Sequence, residues 1–254
     1  MNEDIDRINR MRAITISREY GSGGGEIASR LAKRLGWHLI DHAIVERTAL
    51  EMGTSIQEAE AHDEYAQGVV SRALNNILYL SPAVMASAPP EAFLSDEDYR
   101  SAVDKIVSAA VALGHVVIVG RASQVTLATR RDVLHVRIIA PFEKRVAYVM
   151  QREGLDHNAA ESRIHMKDHD RRRYLENEYH QKPENAHLYD IVLNTSLLDL
   201  DSAVEVICFA LQQKARGLAK KASELGPATG LTRYPAPPED FPSLARLAPK
   251  EQAT

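Results

Sequence analysis

Arg12-Ala13-Ile14-Thr15-Ile16-Ser17-Arg18-Glu19-Tyr20-Gly21-Ser22-Gly23-Gly24-Gly25-Glu26 decides the architecture. The first six residues read as a short, β-branched, buried strand. Residues 18–25 are a glycine-rich turn. From Glu26 to Leu35 the spacing becomes helical, with Ile27, Leu31 and Leu35 on one stripe, and Gly36 stands where a helix C-cap glycine belongs. His38-Leu39-Ile40-Asp41 is a second short strand. Strand, glycine turn, helix, strand is a βαβ unit, which implies parallel pairing.

Further along, the alternation repeats. Residues 42–113 read as mostly helical, broken by the proline-containing stretch 81–90. Ser95-Asp96-Glu97-Asp98 resembles a helix start, where acids suit the dipole. His115–Gly120 and Val133–Ile139 are buried strands, and Pro141 opens a helix at its first turn. Residues 157–180 form a long, highly charged helix. Tyr189–Asn194 is a last strand and Asp201–Leu218 a last helix. The pattern is a parallel sheet covered on both faces. Residues 1–11 read as a loose lead-in, 12–218 as one domain, and 225–254 as a proline-rich flexible tail.

Composition narrows the function. The chain has 254 residues, 44% hydrophobic and 26% charged, which is enough apolar surface for a core. Lys+Arg number 31 against 35 Asp+Glu, a net charge of −4, so composition gives no support for a general nucleic-acid binder. The one cysteine, Cys208, excludes an internal disulfide and suits a reducing compartment. No apolar run nears the roughly 18 residues of a membrane span, and the acidic N-terminus lacks the order of a signal peptide. A cytoplasmic protein without a membrane partner is expected.

A glycine turn between a first strand and a first helix is a place for phosphate. Backbone N–H groups converge there, the helix start is positive, and glycine permits close approach. Three readings of this turn stand open. A dinucleotide loop, G-x-G-x-x-G, fits Gly21 and Gly23 but places Glu26 at the third glycine; Asp41 resembles its ribose-binding acid. A Walker A loop, G-x-x-x-x-G-K-S/T, places Arg18 at the first glycine and Gly24 at the lysine. A plain tight turn is the third. The glycines 21, 23, 24 and 25 offer a backbone cradle and Ser22 a hydroxyl. Arg18 is the nearest cation to stand in for the missing lysine, and a lysine restored at position 24 is expected to be neutral or to raise turnover.

Other residues collect around the same edge. Arg121 follows a strand and a glycine, on the carboxyl side of a parallel sheet, where ligands bind; its guanidinium fork suits a phosphate. Asp41 ends the second strand on that side, and Arg47 follows on the next helix. Lys167, Arg171, Arg172 and Arg173 form a basic group interleaved with Asp168 and Asp170. Asp168, Arg171 and Tyr174 are three apart, near one helix face. A solvated, salt-bridged helix is the plain alternative. The histidines show no metal spacing, and Cys208 reads as core.

Ile14-Thr15-Ile16-Ser17-Arg18-Glu19-Tyr20-Gly21-Ser22-Gly23-Gly24, Leu39-Ile40-Asp41, Val117-Ile118-Val119-Gly120-Arg121, Lys167-Asp168-His169-Asp170-Arg171 and Tyr189-Asp190-Ile191-Val192-Leu193-Asn194-Thr195 together resemble the cytidylate kinase-like family, a branch of the P-loop nucleoside monophosphate kinases. The resemblance spans residues 12–215. It implies a three-layer α/β fold with a parallel sheet, a helical acceptor-binding insertion within 42–113 and a lid at 157–180. It also implies ATP and Mg²⁺ as cofactors and a nucleoside monophosphate, CMP or dCMP first, as acceptor. On that resemblance Gly21, Ser22, Gly23, Gly24 and Gly25 hold ATP, and Asp41, Arg47 and Arg121 hold the acceptor. Arg18, Lys167, Arg171 and Arg173 bring charge to the transferred group. Glycine in place of the Walker lysine leaves a second reading, a nucleotide sensor that does not turn over. A nicotinamide-dependent oxidoreductase is a third, opposed by Glu26 and the basic lid.

Overall fold

A computed structural model describes residues 8–45, 48 and 96–226. The chain divides into two compact units, residues 1–218 and 219–254. Of the second unit, residues 219–226 are described, with a 3₁₀ turn at Ala222–Glu224. Most of the expected 42–113 insertion, Arg47 within it, and most of the 225–254 tail lie outside the described residues.

The first unit is built on a sheet of five parallel strands. They are β1 (Ala13–Arg18), β2 (His38–Ile40), β3 (Val116–Val119), β4 (Val133–Ile139) and β5 (Ile191–Asn194), in spatial order β2-β3-β1-β4-β5. The helices are α1 (Gly24–Leu35), α2 (Asp96–Leu113), the short α3 (Ser123–Thr126), α4 (Phe142–Glu153), α5 (His157–Tyr179) and α6 (Leu200–Gly217). The three central strands are β-branched and buried on both faces, so they read as continuous apolar runs. Side-chain alternation divides them between two cores. Ile14, Ile16, Val117, Val119, Leu134 and Val136 pack with Ile27 and Leu31 of α1 and Ile207 and Leu211 of α6. Ala13, Val116, Ile118 and Val133 pack on the other side with Val103, Ile106, Val107 and Val111 of α2. Two helical layers around one sheet give the expected three-layer fold.

Boundaries differ from expectation where local geometry overrides pattern. α1 begins at Gly24, two residues early, because Gly23 turns left-handed (φ 81°) and starts the helix there. β5 begins at Ile191, because residues 186–188 form a 3₁₀ turn and the Tyr189 hydroxyl donates to Pro183 O at 3.0 Å. Gly36 does cap α1, its N–H returning to Ala32 O and Lys33 O. No helix among the described residues is long and apolar enough to cross a membrane.

Because every strand runs the same way, their carboxyl ends share one edge. β1 ends there in Arg18, β3 is followed there by Gly120 and Arg121, and Arg137 sits near the end of β4 beside Ser17. A third small core, Val146, Val149, Ala160 and Ile164, clamps α4 to α5. That packing holds the basic stretch of α5 over the same edge.

A basic cavity at the candidate active site

A cavity of about 630 Å³ opens at the carboxyl edge. Seven basic side chains line it (Arg18, Arg121, Arg137, Arg145, Lys167, Arg171, Arg172) against four acids (Glu19, Asp168, Asp170, Glu184). Such an excess of positive charge in a concave, partly dry space is suited to a polyanion.

Arg18, half-buried, lines this cavity from the end of β1. Burial pushes its guanidinium down to about 9, and the charges of Arg171 and Arg121 add to that; Asp41 and Asp168 oppose it. Burial likewise lowers Arg171, with Asp168 opposing. The charges of Arg171 and Arg121 thus raise the energy of the protonated Arg18, and an anion among them relieves it. Arg171 Nη1 is buried with no hydrogen-bond partner, and its nearest carboxylate oxygen, Asp168 Oδ1, is 3.5 Å away. A buried donor left so is costly unless a ligand takes it.

The Arg121 backbone is strained. Arg121 and Ala122 both have positive φ, 55° and 50°, an uncommon state for residues with a Cβ. The tight turn follows from ending β3 and starting α3 within four residues, and the Arg121 guanidinium lies 5.6 Å from the Tyr99 ring centre.

A carboxylate network ties the glycine turn to the basic helix. Asp168 Oδ1 accepts the Tyr20 N–H at 2.7 Å, and Oδ2 accepts from Arg145 Nη1. Arg145 Nη1 also donates to Tyr20 O at 3.2 Å. Arg171 lies 5.2 Å from the Tyr20 ring centre. Glu19 Oε2 accepts the Ala140 N–H at 3.1 Å and faces Arg145 Nε at 3.6 Å. Asp168, Arg171 and Tyr174 do share one face of α5, and all three line the cavity.

The turn itself is placed otherwise than its glycines suggest. None of Gly21, Ser22, Gly23, Gly24 or Gly25 lines the cavity. A Cβ on Gly21 would lie 2.8 Å from Arg145 O, and one on Gly23 2.7 Å from Leu200 Cδ2. These two glycines let α4 and α6 pack onto the turn. The Ser22 hydroxyl is turned inward, 2.9 Å from Glu19 O and 3.2 Å from Ile138 O. A Cβ on Gly24 would fall 2.7 Å from Arg18 Cβ. That corrects the expectation that a lysine at 24 is harmless: the stem of Arg18 occupies its ground. The first N–H groups of α1 still have no partner within the helix.

Other expected residues divide. Lys167 and Arg171 line the cavity, as does Arg172, which bonds Glu184. Arg173 is exposed and is not among the lining residues, since it falls off the α5 stripe that carries 167, 171 and 174. Asp41 Oδ1 accepts the Ile44 N–H at 3.1 Å, as a helix cap does. Two further arginines, Arg137 and Arg145, line the cavity. Arg137 is 6% exposed, its Nη1 3.2 Å from Ser17 Oγ and its guanidinium 5.7 Å from the Tyr189 ring. Its signal was a lone cation in the apolar run Val133–Ile139. Arg145 carried no sequence signal, because it is an ordinary helix-surface residue until α4 meets the turn. Among the described residues no cluster of three His, Cys, Asp or Glu could hold a metal.

Comparison with known proteins agrees with this fold. Residues 13–197 match the profile of the cytidylate kinase-like family. A cytidylate kinase from Ignicoccus hospitalis is 24% identical over 198 residues, covering 78% of this chain and 97% of that protein. A uronate isomerase from Corynebacterium glutamicum is 31% identical over 91 residues, 36% of this chain; the match spans 18% of the isomerase. A crystal structure of a protein from Eubacterium ventriosum, 20% identical, superposes with a TM-score of 0.58 over 79% of this chain and 98% of that one. At that identity the likeness concerns the fold alone.

Proposed function

The chain belongs to the cytidylate kinase-like family, and from that premise we propose that it transfers the γ-phosphoryl group of ATP to a nucleoside monophosphate, CMP or dCMP first. The observation that carries this is the convergence of Arg18, Arg121 and Arg171 on one cavity at the carboxyl edge of the sheet.

In the reaction the bond from the γ-phosphorus to its bridging oxygen breaks, and a bond to an acceptor phosphate oxygen forms. ADP leaves, and the acceptor gains one phosphoryl. The protein's part is positioning and charge. Arg121 grips the acceptor phosphate with its fork. Arg18 and the first N–H groups of α1, at Gly23 to Gly25, hold the donor phosphates. Lys167 and Arg171 spread charge over the transferred group while α5 excludes water. The buried, hydrogen-bond-free Arg171 Nη1 fits a phosphate oxygen. Mg²⁺ neutralises phosphate charge when bound. Glu19, Asp168 and Glu184 already bond protein donors, so nucleotide oxygens and water would fill most of its shell. Cytoplasmic nucleotide pools would supply both substrates.

Gly24, in place of lysine, favours a second reading: a sensor that binds nucleotide without turnover. Purified protein with ATP and Mg²⁺, with and without CMP, separates the two. CMP-dependent ADP with equimolar CDP is expected. Binding of ATP or CMP with no product would overturn the kinase reading in favour of the sensor.

A further inference from the structure

Arg18 and Gly24 face each other across the turn. Gly24 is outside the left-handed region, so its backbone accepts any L residue. A side chain there is excluded by Arg18: a Cβ would meet Arg18 Cβ at 2.7 Å and Cγ at 3.1 Å, whereas the next atom, Ile138 Cβ, stands at an ordinary 3.5 Å. The other end of Arg18 runs against Gly120, whose own φ of 76° already favours glycine. A Cβ on Gly120 would fall 2.5 Å from Arg18 Nη1. The stem therefore lies over Gly24, and the head passes Gly120 into the cavity that Arg121 and Arg171 also line.

The Walker pattern has glycine first and lysine seventh. Here positions 18 and 24 hold arginine and glycine. We propose that these two positions are exchanged as a pair. Arg18, from the end of β1, supplies the phosphate-binding cation that the pattern takes from the helix start, and Gly24 is glycine because Arg18 fills its space. The inference rests on the reading of the cavity as a nucleotide-phosphate site. It also alters what the site can grip: a lysine presents a point charge, whereas an arginine presents a planar fork for two oxygens.

The test is a two-by-two exchange of Arg18→Gly and Gly24→Lys, read by calorimetric ATP affinity and by Tm. Either single change is expected to weaken ATP binding at least ten-fold, and Gly24→Lys to lower Tm as well. The double variant is expected to regain at least ten-fold in affinity over either single change. Wild-type affinity and Tm in Gly24→Lys, or a double variant no better than the worse single, would overturn the exchange. Should Gly24→Lys fail to fold, Gly24→Ala carries the same clash in its Cβ. It is expected to lower Tm beside Arg18 and not in the Arg18→Gly background; equal losses in both overturn the proposal. Because binding is the readout, the two readings fail separately. ATP binding that follows this pattern, with no transfer to any monophosphate, leaves the exchange standing and removes the kinase. CMP phosphorylation unaffected by Arg18→Gly does the opposite.

Discussion

Gly21 and Arg171 lie on either side of Tyr20, and they are fixed in opposite ways. Gly21 is held by what it lacks. With φ at 82°, and Arg145 O 2.8 Å from where a Cβ would be, it leaves room for α4 to lie on the turn. Arg171 is held by what it carries. Its guanidinium sits 5.2 Å from the Tyr20 ring centre and 3.5 Å from Asp168, over a cavity rich in positive charge. The glycine turn looks like the chemical part and the charged helix like a solvated face. In the fold, Gly21 and Gly23 serve packing, and the helix faces the cavity with its cations.

The largest effect should come from breaking the packing side. Gly21→Val places a β-branched residue at positive φ and drives its Cβ into the backbone of α4. A loss of about 3 kcal/mol or more in unfolding free energy is expected, at the upper end of single substitutions. Chemical denaturation measures it. Wild-type stability would mean that α4 does not rest on the turn.

Next comes the charged side. Arg171→Ala should lower kcat/KM about 100-fold, or about 2.7 kcal/mol, as loss of one charge-stabilising donor does. Its stability should stay within about 0.5 kcal/mol of wild type, because the change also removes a like charge beside Arg18. Steady-state kinetics and a melt on the same preparation check both. A large stability loss with unchanged kinetics would make α5 a packing element and erase the contrast.

The same two regions show what the sequence can disclose. β1, β3 and β4 were legible because burial on both faces leaves an unbroken apolar run. α1 was legible because Ile27 and Leu31 share a stripe and Gly36 ends it. The facing of Asp168, Arg171 and Tyr174 was legible, since three-residue spacing fixes direction on a helix. The use of Gly21 and Gly23 was not. It depends on Arg145 and Leu200, more than a hundred residues away in the chain, whose arrival no local pattern announces. Arg145 was hidden for the same reason. The obstacle to a side chain at Gly24 is of that kind at short range: the clash with Arg18 exists only because the turn folds residue 24 back over the strand end.

Gly25 gives the smallest effect and the finest test of the contrast. It is exposed, lies outside the left-handed region, and a Cβ on it would meet nothing within 4 Å. Neither packing nor backbone demands a glycine there. Gly25→Ala should therefore stabilise the protein by about 0.5 kcal/mol, chiefly by restricting the unfolded chain. ATP affinity should stay within about two-fold, because the Gly25 N–H is kept and the added methyl does not enter the cavity; calorimetry and a melt read both quantities. If the methyl instead abolished ATP binding while stability held, a phosphate would have to lie against the Gly25 Cα, where the methyl goes, and not only at its N–H. The glycines would then be divided by position, with Gly21 and Gly23 serving the helices that pack on the turn and Gly25 serving the ligand.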